Sequence, residues 1–273
     1  AAANKDKDDE TDSMNGYKVN KTAAFAAAKE EAYSTLSLPH LSQRLKLIAA
    51  FVPQDSRIAD IGTDHGFVPI YLAKQGRIKS ALAMDVRKGP LERAAVHIKE
   101  AAVSDIPIET RLSDGLQKLK PGEADTVIVA GMGGELELRI LRDGKHLWNT
   151  IDRFILSPQS DLEKVRRFLA ENGFQIEKEA MLREDGKYYT VMSVIHGSME
   201  YEKTCEYRYG KLLLKQKDPV LKEYLGKERD RIRSILAALP RENDTEQTPG
   251  QKKARIALLE ELSWIREAEY EMQ

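Results

Sequence analysis

The feature that most constrains the fold is an apolar strand that runs into a glycine-containing loop, Ile58-Ala-Asp-Ile-Gly-Thr-Asp-His-Gly66. Its spacing is Asp60-x-Gly62-x-x-x-Gly66, with an aspartate where dinucleotide-binding loops have their first glycine. A carboxylate at this strand end would repel a pyrophosphate but would suit a cationic or amine-bearing ligand. A simpler alternative, in which the glycines serve only a strand-to-helix turn, stays open at this point.

Downstream of Leu38, apolar strands alternate with amphipathic helices. Ser42 is the predicted N-cap of the first helix, and the second helix begins near Pro69. We predict strands over 57–61, 80–86, 107–112, 125–130 and 153–156, followed by an antiparallel pair over 174–182 and 187–195. This order predicts an α/β fold with a doubly wound, Rossmann-like sheet that ends in a hairpin, within a domain spanning 37–197.

Polar residues and glycines follow the predicted parallel strands, at the sheet edge where such folds bind ligands. S-adenosylmethionine, which has a sulfonium, an α-amino group and no phosphate, fits the carboxylate of Asp60. Asp85 is expected to accept hydrogen bonds from ribose hydroxyls, and Asp114-Gly115 to meet the adenine edge, although a solvated aspartate and a tight turn would look the same. The full predicted cofactor site comprises Asp60, Gly62, His65, Asp85, Val86, Asp114, Gly115, Ala130, Gly131 and Met132.

Three further features bear on the methyl acceptor. Gly131-Met-Gly-Gly134 removes side chains near the expected methyl group and lacks the Asn/Asp-Pro-Pro-aromatic sequence of exocyclic-amine DNA methylases. Asp64 is expected to face the acceptor, whereas His65 fits a structural hydrogen bond within the loop equally well. Tyr188-Tyr189 could stack on a base or simply pack within a strand.

Residues 198–273 change character, because apolar residues recur there at helical spacing. We predict two long helices forming an antiparallel hairpin or coiled coil, with the polar loop 243–250 ending in a Pro-Gly stop. Residues 201–241 contain 11 Lys/Arg against 6 Asp/Glu, whereas 242–273 contain 4 against 8. This asymmetry indicates either two paired helices or a basic face for a polyanion.

The overall composition excludes several classes of protein. The net charge of −1 does not by itself indicate a nucleic-acid partner, and the single cysteine, Cys205, excludes an internal disulfide and a cysteine zinc cluster. No apolar run reaches membrane length, so we expect a cytoplasmic protein without a membrane partner or a metal. The polar, charged segment 1–36 is expected to be disordered, or to derive from processing or expression, and to have no catalytic role.

These motifs resemble those of the bacterial tRNA (adenine-22-N1)-methyltransferases of the TrmK type. The resemblance covers 37–273 and includes Ser42-Gln-Arg-Leu45, Ala59-Asp-Ile-Gly-Thr-Asp-His65, Ala130-Gly-Met-Gly-Gly134, Glu184-Asp-Gly-Lys-Tyr188 and Leu212-Leu-Leu-Lys215. It implies a Rossmann-like class I methyltransferase domain, a helical coiled-coil domain over 198–273 that binds tRNA, and methylation of N1 of adenine 22 with S-adenosylmethionine.

The resemblance also implies roles for individual residues. Asp64 would be the active-site carboxylate, and Arg44 would reach the site from the first helix. The expected tRNA-binding residues are Tyr188, Lys211, Lys215 and Lys222. The chain departs from the family at Phe67, where tyrosine is common, and at Ser157, where glutamine is common.

Two other functions stay open from the sequence. The chain could be a methyltransferase for a small molecule or a protein, with the C-terminal hairpin serving dimerisation, or a non-catalytic RNA-binding module that keeps the fold. We expect a monomer and leave a dimer as the alternative.

Overall fold

The computed structural model describes residues 39–103, 105–240 and 248–273, so the predicted tail over 1–36 lies outside the described residues. Residues 40–273 form one compact unit. The strands are β1 (Ser56–Ile61), β2 (Ile78–Asp85), β3 (Ile108–Leu112), β4 (Thr126–Ala130), β5 (Arg153–Ser157), β6 (Phe174–Glu184) and β7 (Lys187–His196). The helices are α1 (Gln43–Phe51), α2 (Phe67–Lys74), α3 (Lys88–Ala101), α4 (Gly134–Asp143), α5 (Leu162–Glu171), α6 (Thr204–Tyr209), α7 (Lys211–Lys215), α8 (Pro219–Ala238) and α9 (Pro249–Glu271).

The strands form one sheet in the order β3-β2-β1-β4-β5-β7-β6. Strands β1 to β5 are parallel, whereas β7 runs antiparallel to both β5 and β6. The strand order reverses next to β1, which places the carboxyl ends of β1 and β4 at the crevice where doubly wound folds bind ligands. The predicted α/β Rossmann-like fold class is confirmed.

Alternating side chains of the strands build a core on each face of the sheet. Ala59 and Val127 belong to a cluster with helices α4 and α5. Their neighbours Ile58 and Ile128 belong to a second cluster with helices α1 and α2. Because both faces are covered, the central strands are largely apolar and were recognisable in the sequence.

Local signals explain where the elements begin and turn. The Ser42 hydroxyl accepts a 3.3 Å hydrogen bond from the Leu45 N–H, as expected of the N-cap of α1. Helix α2 begins at Phe67, two residues before the expected start at Pro69, directly after the left-handed Gly66. Asp185 and Gly186 both have positive φ, at 49° and 78°, so β6 and β7 are joined by a two-residue turn of the type that Asp-Gly favours.

The C-terminal region differs from its prediction in two ways. Leu212–Leu214 do not belong to a long helix, because the chain turns at Gly210 and the Asp218 carboxylate caps α8 through the N–H groups of Val220 and Leu221. The predicted loop over 243–250 is too long at its end, because Pro249 and Gly250 belong to the following helix. Pro249 instead begins α9, where a residue without an N–H is tolerated, and Thr248 forms a capping box with Gln251. Residues 241–247 of the predicted loop lie outside the described residues.

Helices α8 and α9 are antiparallel neighbours. Arg229 near the middle of α8 contacts Glu269 near the end of α9 at 2.5 Å, and Arg255 near the start of α9 lies 3.4 Å from the Leu236 carbonyl near the end of α8. Both helices share an apolar cluster with α6 and α7, comprising Cys205, Tyr209, Leu213, Leu214, Leu221, Leu225, Ile232, Leu262, Ile265, Ala268 and Met272. None of the helices in the described ranges is long and apolar enough to cross a membrane.

A buried arginine joins these helices to the sheet. Arg166 of α5 is 1% exposed and donates hydrogen bonds to Glu179 of β6 at 2.7 and 3.0 Å. The same guanidinium donates to the carbonyls of Tyr207 and Arg208 in α6, at 2.7 and 2.9 Å. One side chain therefore connects α5, β6 and the start of the C-terminal helices. The domain boundary between 197 and 198 stays a prediction.

Candidate active site

A cavity of about 650 Å³ lies at the carboxyl ends of the parallel strands. It brings together residues that are far apart in the sequence and that were predicted separately from each strand end. Among its lining residues are Arg44, Asp60, Gly62, Asp64, His65, Asp85, Val86, Asp114, Gly115, Ala130, Gly131 and Met132. These are all of the predicted catalytic and cofactor-binding residues.

The loop after β1 presents a buried carboxylate. Asp60 is 9% exposed, and burial raises its pKa to about 6, with the nearby charge of Asp85 adding to the rise. Gly62 has φ +75°, and a Cβ at this position would lie 2.1 Å from the terminal methyl of Met132. The left-handed backbone conformation therefore favours glycine, and a side chain here would displace the end of the Met132 side chain.

The ends of β2 and β3 contribute two more carboxylates. Asp85 is 5% exposed, and its Oδ1 accepts a 2.7 Å hydrogen bond from the Arg87 N–H. The neighbouring Val86 is 60% exposed and offers an apolar surface at the same edge. Asp114 accepts two hydrogen bonds from Arg139 of α4, at 2.9 and 3.2 Å, which hold it at the cavity wall.

Asp64 lies at the mouth of the cavity and is held by an arginine. Arg93 of α3 donates a 2.8 Å hydrogen bond to Oδ1 of Asp64, and this bond lowers the pKa of Asp64. Since the Asp64 side chain is 57% exposed, the shift reflects the arginine rather than burial. The arrangement keeps Asp64 ionised across the neutral range.

His65 follows in a left-handed conformation, with φ +67°, and its ring belongs to a stack of three. The ring centroids of His65, Phe67 and His97 lie 5.0 to 5.1 Å apart, with interplanar angles from 13° to 20°. His97 Nδ1 is 3.1 Å from the His65 carbonyl, and His65 Nε2 is 3.5 Å from Asp64. The histidine thus takes part in the packing of the loop and also lies beside the carboxylate.

Arg44 of α1 reaches the loop after β4. Its guanidinium lies over the Tyr189 ring at 5.1 Å, and its buried Nη1 has no hydrogen-bond partner among the described residues. A Cβ on Gly131, which has φ +79°, would lie 3.1 Å from this Nη1 and 3.9 Å from the amide nitrogen of Gln159. A side chain at position 131 would therefore crowd the Arg44 guanidinium, and glycine lets this cation approach the loop.

The four residues predicted to bind tRNA do not line this cavity. Tyr188 donates a 2.8 Å hydrogen bond to Glu223 of α8, and Lys211 donates a 2.7 Å hydrogen bond to the Glu200 carbonyl. Lys215 and Lys222 are exposed on α7 and α8.

Several residues at or beside the cavity were not predicted from the sequence, namely Arg87, Arg93, Arg139 and Gln159. Arg93 and Arg139 lie on helices whose other faces are apolar, and Arg87 directly precedes α3, so all three read as ordinary surface residues in the sequence. For Gln159, the only signal in the sequence was its position, two residues after the end of β5. Within the described ranges, no group of three or more His, Cys, Asp or Glu side chains could hold a metal ion.

Known proteins with similar sequences and structures identify the family of the chain. Residues 41–192 match the model of a methyltransferase domain. The tRNA (adenine(22)-N(1))-methyltransferase of Bacillus subtilis is 31% identical over 230 residues, which covers 81% of this chain and 96% of that protein.

Two solved structures of a putative tRNA (m1A22) methyltransferase from Streptococcus pneumoniae are also similar. One has a TM-score of 0.76 at 32% identity and covers 84% of this chain and 99% of the other. The second, a complex with S-adenosyl-L-methionine, has a TM-score of 0.74 at 31% identity with the same coverage. By its sequence, its fold and the grouping of strand-end carboxylates in one cavity, the chain belongs to the tRNA (adenine(22)-N(1))-methyltransferase family.

Proposed function

We propose that this protein transfers a methyl group from S-adenosylmethionine to N1 of adenine 22 in tRNA. The observation that carries the proposal is the single cavity lined by Asp60, Asp85 and Asp114 together with Asp64 and Arg44. The similarity to the B. subtilis and S. pneumoniae proteins supports the same reaction. We propose the cytoplasm as its compartment and a monomer as its working form.

The residues of the cavity fit the cofactor. The buried Asp60 suits a cationic amino group, and Asp85 keeps an oxygen free of the Arg87 backbone bond that could accept from ribose hydroxyls. Val86 offers an apolar contact for the adenine ring, beside the polar edge of Asp114-Gly115. When bound, the cofactor supplies a methyl group on a positively charged sulfur. The glycine at 131 keeps a side chain out of the region beside Arg44, where the acceptor is proposed to lie.

Methylation at N1 of adenine makes simple demands on the protein. N1 has an in-plane lone pair and needs no deprotonation, so the enzyme must align the base and stabilise the positive charge of the product. Asp64 is the proposed source of that stabilisation, because Arg93 keeps it ionised. Arg44 is proposed to position the acceptor nucleotide, since a cation would not favour the product charge. Adenine 22 must leave the folded tRNA to reach the cavity, by base flipping.

The C-terminal helices are the proposed binding surface for the tRNA backbone. Lys215 and Lys222 are exposed, whereas Lys211 contacts the Glu200 carbonyl and Glu206. Charge reversal at Lys215 and Lys222 should weaken tRNA binding and reduce its salt dependence. Tyr188 already bonds to Glu223, so its proposed contribution is a ring contact rather than a hydroxyl.

Mass spectrometry of nucleosides tests the main proposal directly. Unmodified tRNA is incubated with the enzyme and S-adenosylmethionine, and a matched tRNA with guanosine at position 22 serves as the control. N1-methyladenosine should form only in the first tRNA. A methyltransferase for other substrates would form none in either tRNA and would bind tRNA weakly in a gel shift, and a non-catalytic module would fail to bind the cofactor in calorimetry.

The ribose assignment has its own test. Asp85→Ala should weaken cofactor binding by about 1.5–3 kcal/mol, as expected for lost hydrogen bonds to a charged group. Asp143→Ala, at an exposed position at the end of α4, is the control and should leave binding unchanged. Unchanged affinity in the Asp85 variant would contradict the assignment.

A further inference from the structure

The segment that follows β5 is bonded to the loop that follows β4. The Gln159 N–H donates a 2.8 Å hydrogen bond to the Met132 carbonyl. The next residue, Ser160, accepts a 3.2 Å hydrogen bond from the Gly134 N–H through its hydroxyl. Since Met132 lines the active-site cavity, these two bonds hold the backbone of Gln159 in a fixed place beside it.

The carboxamide of Gln159 is available to a ligand. The residue is exposed, and its carboxamide makes no hydrogen bond with any residue in the described ranges. Its Nε2 lies 3.9 Å from the place that a Cβ on Gly131 would take, which puts it at the edge of the active-site cavity. Gln159 also lines a neighbouring cavity, between α5, β7 and the C-terminal helices. One donor and one acceptor therefore lie side by side at the rim beside Gly131, where the acceptor base is proposed to enter.

Methylation at N1 limits which atoms of adenine the protein can recognise. N1 must face the methyl group, so the N6 amine and N7 form the edge that stays available next to it. A carboxamide matches this edge, because its oxygen accepts from the N6 amine and its nitrogen donates to N7. A base whose N1 points into the cavity turns this edge to the side, so a carboxamide at the rim is suitably placed to meet it.

The same contact would distinguish adenine from the other bases. Guanine has an oxygen in place of the N6 amine, which would face the carboxamide oxygen with no proton between them, and pyrimidines have no N7. Methylation of N1 also spreads positive charge onto the N6 amine. The hydrogen bond from this amine to the Gln159 oxygen would therefore strengthen as the methyl group is transferred.

We propose that Gln159 recognises the N6–N7 edge of the acceptor base and makes the enzyme selective for adenine. The residue touches the substrate but exchanges no proton with it, and the charge of Asp64 is not altered. This role rests on the proposed function, because it takes the acceptor to be an adenine that is methylated at N1.

The test pairs an isosteric variant with an altered substrate. Gln159→Glu keeps the size of the side chain and one oxygen for the N6 amine, but places a second oxygen opposite N7. The two substrates are tRNA with adenosine at position 22 and the same tRNA with 7-deazaadenosine there, in which a C–H replaces N7. Gln75→Glu, exposed at the end of α2 and outside both cavities, is the matched control.

The measured quantity is the ratio of kcat/KM on adenosine to kcat/KM on 7-deazaadenosine. Any difference in N1 basicity between the two bases affects every enzyme equally, so it cancels when the ratios are compared. The ratio should fall about tenfold or more in Gln159→Glu, because one hydrogen bond is lost and two acceptors face each other on adenosine. It should stay at the wild-type value in Gln75→Glu. Circular dichroism and the cofactor dissociation constant should be the same for all three proteins.

Two results would overturn the role of Gln159 alone. They are a wild-type enzyme active on adenosine 22 whose ratio is unchanged in Gln159→Glu, and a loss of activity in this variant that is equal on both tRNAs. The second would show a purely structural effect. A wild-type enzyme that does not methylate adenosine 22 would overturn the proposed function, and the role of Gln159 with it.

Discussion

The carboxylate of Asp64 and the guanidinium of Arg93 meet at 2.8 Å at the mouth of the active-site cavity. The two residues come from different segments, the loop after β1 and the middle of α3. This bond fixes the direction of the carboxylate and lowers its pKa. Asp64 therefore presents a constant negative charge to whatever base enters the cavity.

Replacing Asp64 by asparagine should slow methylation far more than it weakens cofactor binding. The variant keeps the size of the side chain but loses the charge that is proposed to stabilise the cationic product. We expect the single-turnover rate to fall about ten- to hundredfold, with the cofactor dissociation constant nearly unchanged. Parallel losses of rate and cofactor affinity would instead place Asp64 in the cofactor site. Asp143→Asn, outside the cavity, serves as the control.

Cofactor binding should weaken at acidic pH because of Asp60. Its pKa is raised to about 6, chiefly by burial, so the side chain is ionised above this pH and protonated below it. A cationic amino group prefers the ionised form, and its affinity should fall roughly tenfold for each pH unit below the pKa. Calorimetry from about pH 5 to about pH 8 measures this profile.

The matched control for this profile is Asp60→Asn. It should bind the cofactor weakly at every pH, because its side chain does not titrate. If the cofactor affinity of the variant still falls at acidic pH as it does in the wild type, a group other than Asp60 causes the fall.

Breaking the buried pair between Arg166 and Glu179 should destabilise the protein strongly. Arg166→Met leaves a buried carboxylate and two α6 carbonyls without their donor. We expect a loss of about 3–5 kcal/mol in the free energy of unfolding, measured by urea denaturation. The double variant Arg166→Met, Glu179→Leu should recover part of this loss. Lys227→Met, which breaks an exposed pair with Glu223, should change the free energy of unfolding little.

Glu137 of α4 should make the protein less stable as the pH rises. The residue is 0% exposed, and neither carboxyl oxygen has a hydrogen-bond partner within the part of the chain that the structure describes. Burial raises its pKa well above the usual 4.5. Between these two values the folded state holds a proton that the unfolded state has lost, so stability falls with increasing pH.

Glu137→Gln removes this titration. The melting temperature of the variant should exceed that of the wild type at about pH 8, and the difference should shrink near pH 5. Glu135→Gln, two residues earlier and exposed, is the control and should show no such pH-dependent gain. An equal shift at all pH values would show that Glu137 is not the titrating group.

The sequence was sufficient to predict the sheet and the residues at its carboxyl edge. Parallel strands buried on both faces are continuous apolar runs, and in parallel strands each carboxyl end lies at the same edge. The sequence alone therefore groups Asp60, Asp85 and Asp114 in one site. Their grouping in one cavity follows from the strand order β3-β2-β1-β4.

The other residues of the site and the start of the last helix depended on features that no local sequence pattern encodes. Arg93 bonds to a residue 29 positions away, and Gln159 approaches Gly131 only because β4 and β5 are adjacent. Pro249-Gly250 was assigned to the preceding loop because proline is as compatible with a loop as with the first turn of a helix. The partner of Lys211 is a backbone carbonyl, which the sequence does not reveal.

The position of Arg166 limits how much the distance between the methyl-transfer cavity and the C-terminal helices can vary. Its guanidinium bonds to the sheet through Glu179 and to α6 through two carbonyls, so the helices that carry Lys215 and Lys222 have little freedom to swing relative to the methyl-transfer cavity. A fixed distance between these two parts of the protein favours tRNAs in which the two contacted parts lie at a matching distance. We expect the enzyme to discriminate among tRNAs by the spacing between the D-loop adenine and the helical stem that Lys215 and Lys222 are proposed to contact, and insertion of one base pair in that stem to abolish methylation of an otherwise intact substrate.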